Sequence, residues 1–127
     1  MINLIPLTDE YSIYKLDPDQ ETPSWIFDSG FYSITRTSEE VSIVTNRRID
    51  MDNLRAEHGW KGFKVKGILN FSMVGIINEI TKPLKDNRIS VFVISTFNTD
   101  YIFVKKESFD RSIGIFKSTD NICISDK

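Results

Sequence analysis

Between Ile89 and Val104 the chain reads Ile-Ser-Val-Phe-Val-Ile, then Ser-Thr-Phe-Asn-Thr-Asp, then Tyr-Ile-Phe-Val. Two apolar runs around a polar hexapeptide predict a strand, a tight turn and a returning strand. A helix-patterned segment led by Asn70-Phe71-Ser72-Met73-Val74-Gly75 precedes this hairpin, and a second, Glu107 to Phe116, follows it. A closing strand is expected at Ile122 to Ser125. Strand, helix, two hairpin strands, helix, strand is the order of a split βαβ, or ferredoxin-like, α+β sandwich.

The hairpin strands are apolar on both faces. Ile89, Val91 and Val93 point one way and Phe92 and Ile94 the other; Tyr101 and Phe103 oppose Ile102 and Val104. One face packs on helices, so the second also needs cover, from another part of the chain or from a second subunit.

The same pattern occurs earlier. Phe31 to Val44 set against the stretch sixty positions later aligns Ile34 with Ile94, Thr35 with Ser95, Glu40 with Asp100, Val41 with Tyr101 and Val44 with Val104. Apolar runs meet apolar runs, and a polar turn meets a polar turn. Two related halves are therefore expected, residues 1–60 and 61–127, joined across Arg55 to Gly62. In the first, a strand lies near Ser12 to Leu16. A short helix follows at Pro23 to Phe27 with Thr22 as its cap, then strands Phe31 to Thr35 and Val41 to Val44. The second has a longer helix capped by Ser72 and running toward Asp86. Its buried stripe is Met73, Ile76, Ile77, Ile80 and Leu84, and Pro83 is expected to kink or loosen its last turn. The second helix presents Phe109, Ile113 and Phe116 on one face.

Composition narrows the function. With 40% hydrophobic and 27% charged residues, the chain has the make-up of a soluble globular domain. A net charge of −2 argues against nonspecific nucleic-acid binding, and Arg47-Arg48 is the only notable basic cluster. No apolar run approaches a membrane span, and the first residues lack a signal peptide's pattern, so a cytoplasmic location is expected. Cys123 is the sole cysteine and His58 the sole histidine. Intrachain disulfides are impossible, a metal site has too few soft ligands, and no Ser-His-Asp arrangement is visible. His58 reads as a residue of the connection. No cofactor is implied.

Two segments suit a small ligand. Asn70, Phe71, Ser72, Met73, Val74, Gly75 and Ile76 form a loop entering a helix, where unpaired N–H groups and the helix dipole attract a carboxylate. The same residues also suit an ordinary capped helix, with Gly75 there for close packing. Ser95, Thr96, Phe97, Asn98, Thr99 and Asp100 form the polar turn. Five of the six can hydrogen-bond through their side chains, and Asp100 can pair with an ammonium or guanidinium group. Hairpin turns are also polar for their own sake.

At these residues the sequence resembles the ACT domain family of small regulatory modules. Phe71-Ser72-Met73-Val74-Gly75-Ile76 and Ile89 to Val104 are similar to segments of aspartate kinase regulatory domains. Phe31 to Thr37, Gly59-Trp60-Lys61 and Ile94 to Tyr101 resemble small tandem ACT proteins, and the last block also resembles ACT-domain arginine sensors. The loop departs from the group in having Asn70 where Asp is usual and Val74 where Thr is common. The resemblance implies two ACT sandwiches in tandem, the N-terminal one abbreviated, and an amino acid held between units. It also implies a homodimer, a non-catalytic sensing role and an unidentified regulated protein as partner. The competing reading is an interaction module with no small-molecule ligand; a small enzyme comes third.

Overall fold

The structure, a computed structural model, describes residues 1–50, 54–67 and 75–125. The chain packs as two units: Asp9–Trp60, and Met1–Thr8 together with the described residues from Lys61 onward. Strand β1, Ile2–Pro6, belongs to the later unit because it is antiparallel to the end of β5 and parallel to the last strand. A division at residue 60 therefore differs from the packing by those first eight residues.

The earlier unit contains β2 (Tyr11–Leu16), a 3₁₀ turn (Ser24–Asp28), β3 (Tyr32–Arg36), β4 (Val41–Thr45) and the first part of β5 (Arg55–Val65). Its strand order is β3-β4-β2-β5, and every neighbouring pair is antiparallel. Alternation puts Tyr14, Leu16, Val41 and Ile43 on one face, where they form a core with Ile26. The buried Tyr14 hydroxyl donates to the Arg47 carbonyl at 3.0 Å and accepts from the Ile49 N–H at 2.6 Å. A phenol can be buried at little cost only with such partners.

Two expectations need correction here. The helix read at Pro23 to Phe27 is a 3₁₀ turn at Ser24–Asp28, and Pro23, not Thr22, holds the cap position in extended conformation. Five residues are too few to offset the nucleation cost of an α-helix. The supposed connection Arg55 to Gly62 is most of β5. Its two glycines suggest a linker, yet Trp60, Phe63 and Val65 are buried and the strand is paired along its length. Gly59 (φ +80°) sits where the β2–β5 register shifts, Tyr11 facing Trp60 but Ile13 facing Glu57. One extra residue on β5 at a left-handed glycine is a bulge, so Gly59 bends the strand without ending it.

In the later unit α1 (Ile76–Asp86), β6 (Val91–Ser95), β7 (Asp100–Lys105), α2 (Phe109–Lys117) and β8 (Ile122–Ile124) follow β5. The strand order is β6-β7-β5-β1-β8. Ile80 and Leu84 of α1 and Phe116 of α2 share one core with Leu4, Phe63, Val65, Ile89, Ile102, Val104 and Ile122. Ile76 joins the α1 stripe, while Ser72 and Met73 lie outside the described residues. Phe109 and Ile113 pack against the same core. Pro83 does not stop α1, which runs on to Asp86 and closes with the Asn87 N–H on the Leu84 carbonyl at 3.1 Å.

The face of β6 and β7 away from the helices carries Phe92, Ile94, Tyr101 and Phe103. Phe103 is fully buried, stacked on Phe92 at 4.7 Å, and lies so close to Gly62 that a Cβ there would come within 2.8 Å of its ring. Burial of Phe103 therefore needs no second subunit.

Both hairpins have four-residue turns. Arg36 faces Val41 as Ser95 faces Asp100, which sets the two hairpins fifty-nine positions apart, not sixty. A slip of one residue exchanges the faces of a strand. In the true register Ile34 corresponds to Val93, and both point to a core. The β6 and β7 strands, apolar on both faces, accept either register by pattern alone.

Candidate functional site

The β6–β7 turn is built by its two threonines. The Thr96 N–H donates to the Thr99 carbonyl at 2.8 Å, and the Thr99 N–H donates to Thr96 Oγ1 at 3.2 Å. Thr99, only 3% exposed, turns its hydroxyl inward to donate to the Val65 carbonyl at 2.7 Å. Val65 ends β5, so this bond fixes the turn to the end of the sheet from which the chain departs toward α1. Thr99 thus acts as a structural anchor. Thr99→Val should destabilise the protein by about 1–3 kcal/mol, because it leaves the buried Val65 carbonyl without this donor. Chemical denaturation measures this, and an unchanged midpoint would contradict the anchoring role.

Asp100 begins β7, half-buried, and one carboxylate oxygen accepts from the Ser95 hydroxyl across the strand pair at 2.5 Å. Among the described residues no cation pairs with it. Ser95, Thr96, Phe97 and Asn98 are exposed. The turn therefore offers a carboxylate oriented by a neighbouring hydroxyl and open to an incoming cation, a strong class of hydrogen bond.

Gly75 and Ile76 stand where α1 starts. Gly75 occupies the cap position with φ +84°, and among the described residues no side chain caps the helix; the Glu79 N–H bonds to the Gly75 carbonyl at 2.9 Å. Among the described residues, a Cβ on Gly75 would meet nothing within 4 Å. The left-handed φ is the reason glycine suits this position. The N–H groups of the first turn have no intrahelical partner, and the helix dipole makes this end favourable to an anion. Asn70, Phe71, Ser72, Met73 and Val74 lie outside the described residues.

His58 is not a connection residue but part of the β5 bulge. Its Nδ1 lies 2.7 Å from Ser12 Oγ and its Nε2 3.5 Å from an Asp50 carboxylate oxygen. This Ser-His-Asp sequence of contacts escaped the reading of the chain because β-pairing creates it between distant positions. It is arranged the wrong way round for hydrolysis. Ser12 is 4% exposed, while the Asp50 side chain is 73% exposed, so the hydroxyl cannot meet a substrate. No group of three or more metal-type side chains converges among the described residues, and none of their helices is long and apolar enough to cross a membrane.

A model of the ACT domain matches residues 55–118, from the start of β5 past the end of α2. The chain belongs to the ACT domain family. A second family model, of an N-terminal domain, matches residues 9–50, close to the earlier packing unit. The solved structure of protein Atu0741 from Agobacterium tumefaciens superposes with a TM-score of 0.84 at 30% identity, covering 98% of this chain and 93% of that one. A C-terminal regulatory domain of aspartate kinase from Porphyromonas gingivalis gives a TM-score of 0.57 at 11% identity, covering 94% and 95%. That likeness shows the fold alone. Human CASTOR3P is 33% identical over 89 residues, 60% of this chain and 55% of that protein, so this chain spans about half the length of that relative.

Proposed function

We propose that this protein is a non-catalytic regulatory module that binds a free amino acid at the C-terminal unit, between the β6–β7 turn and the start of α1. ACT domains generally bind amino acids as regulatory modules, and the chain is one of them. The observation that carries the reading to this site is Asp100. It is a carboxylate with a hydroxyl to orient it and, among the described residues, no cation paired with it, on a turn anchored to the strand that leads into the α1 helix. Asp100 and nearby carbonyls receive the amino acid's cationic group. The unpaired N–H groups at the start of α1, with the residues from Asn70 to Val74 ahead of them, receive its carboxylate.

The strand order of each unit supports a tandem ferredoxin-like arrangement. Order β5-β2-β4-β3 in the earlier unit is the 4-1-3-2 pattern, with a 3₁₀ turn in place of the first helix. The later unit keeps the same order with β1 inserted beside its last strand. In this reading β5 closes one sandwich and opens the next. The working protein is a cytoplasmic homodimer, as ACT domains often oligomerise, and ligand binding acts on a regulated partner by shifting the equilibrium between states of unequal affinity.

The test is thermal unfolding against the twenty amino acids. A ligand present at about 100 times its Kd should stabilise the folded protein by about 2.7 kcal/mol, a rise of several degrees in Tm. No response to any amino acid would leave the interaction-module reading in possession of the data.

A further inference from the structure

Fifty-nine positions before Ser95, β3 ends in a long cation where β6 ends in a hydroxyl. The Arg36 guanidinium donates from Nη1 to the Pro18 carbonyl at 2.5 Å and from Nη2 to the Gln20 carbonyl at 2.8 Å. Both carbonyls belong to the loop that leads from β2 to the 3₁₀ turn, the counterpart in chain order of the segment from β5 to α1. The loop is shaped locally as well. The Gln20 N–H bonds to the Asp17 carbonyl, and Gln20 Oε1 accepts from the Asp17 N–H, each at 3.1 Å. Two carbonyls presented to one planar fork suit a guanidinium better than an ammonium. Asp17, Asp19 and Glu21 add negative charge to the same loop.

The two units differ in a complementary way. Across the hairpin from Arg36 stands Val41, fully buried; across from Ser95 stands Asp100. The earlier unit supplies its own cation, and the later unit supplies a carboxylate that none of the described cations pairs with.

We propose that the loop at Pro18 and Gln20 is a guanidinium-binding site whose resident ligand is the side chain of Arg36. This tethered cation closes the N-terminal unit to outside ligands and leaves binding to the C-terminal unit. The Arg36 site stands on its own contacts, while the assignment of binding to the other unit rests on the proposed function.

Arg36→Ala tests it by chemical rescue. The variant should melt about 2–5 °C below the parent. Guanidinium chloride at about 20 mM, too dilute to denature appreciably, should restore about half of that loss relative to sodium chloride of equal ionic strength. The parent should not respond, and methylammonium should rescue neither protein. Should the variant fail to fold, the readout is refolding yield with and without the same guanidinium concentration, and recovery supports the site. Equal responses of variant and parent, an unshifted melting point, or no recovered yield would overturn it. Rescue by guanidinium alongside a parent that binds no amino acid would uphold this site and reject the proposed function.

Discussion

Replacing Phe103 with alanine should lower the free energy of unfolding by about 3–5 kcal/mol, a large part of the stability of a domain this size. Phe103 is 0% exposed, stacks on Phe92 and covers Gly62. Truncation removes a whole ring from a packed site and leaves a cavity beside Phe92 and Gly62. The reciprocal change gives an internal control. Gly62→Ala drives a Cβ to within 2.8 Å of the Phe103 ring and 3.2 Å of Leu7, so overpacking should cost about 1–3 kcal/mol. In the Phe103→Ala background the cost of Gly62→Ala should shrink, because the clashing ring is gone; a double-mutant cycle in urea measures the coupling. Additive effects would contradict the contact. A charge at Phe103 would unfold the protein for the same reason, so it cannot serve as a probe of subunit assembly.

The second large effect concerns affinity. Asp100→Ala should weaken amino-acid binding by about 1.5–3 kcal/mol, roughly 10- to 150-fold in Kd, because it removes one charge-assisted hydrogen bond. Stability should change little. The side chain is only partly buried, and the Ser95 hydroxyl left behind is exposed and can turn to water. Asp100→Asn separates charge from shape: it keeps an acceptor for Ser95 but offers a ligand cation no counter-charge. Calorimetry with the amino acid that stabilises the parent most should rank affinity as parent, then Asn, then Ala. Equal affinity in all three would exclude Asp100 from the site.

Much of the later unit was legible because its signals are local and redundant. The stripe through Ile76, Ile80 and Leu84 and the hairpin around residues 95–100 follow from spacing and turn chemistry, and both stand in the fold. What escaped depends on contacts between distant positions. Gly59 and Gly62 look like linker punctuation, but one is a bulge and the other makes room for an aromatic ring. β1 joins the later unit through pairing with residues some sixty and 120 positions away, which no local pattern encodes. The match between the two hairpins reads one residue out of register, because strands apolar on both faces carry no mark of which face is which. At the candidate site Thr99 reads like its neighbours, yet its hydroxyl anchors the turn to Val65 while the Asp100 carboxylate pairs with no cation among the described residues. Residue type alone does not distinguish an anchor from a ligand group.

Amide chemical-shift mapping by NMR, with the amino acid that raises the melting point most, tests the central claim most directly. The shifts should concentrate at Gly75, Ile76 and the turn from Ser95 to Asp100, saturate with one affinity, and spare the loop held by Arg36. Shifts confined to the Pro18 to Gln20 loop, or no saturable shifts with any of the twenty amino acids, would contradict it.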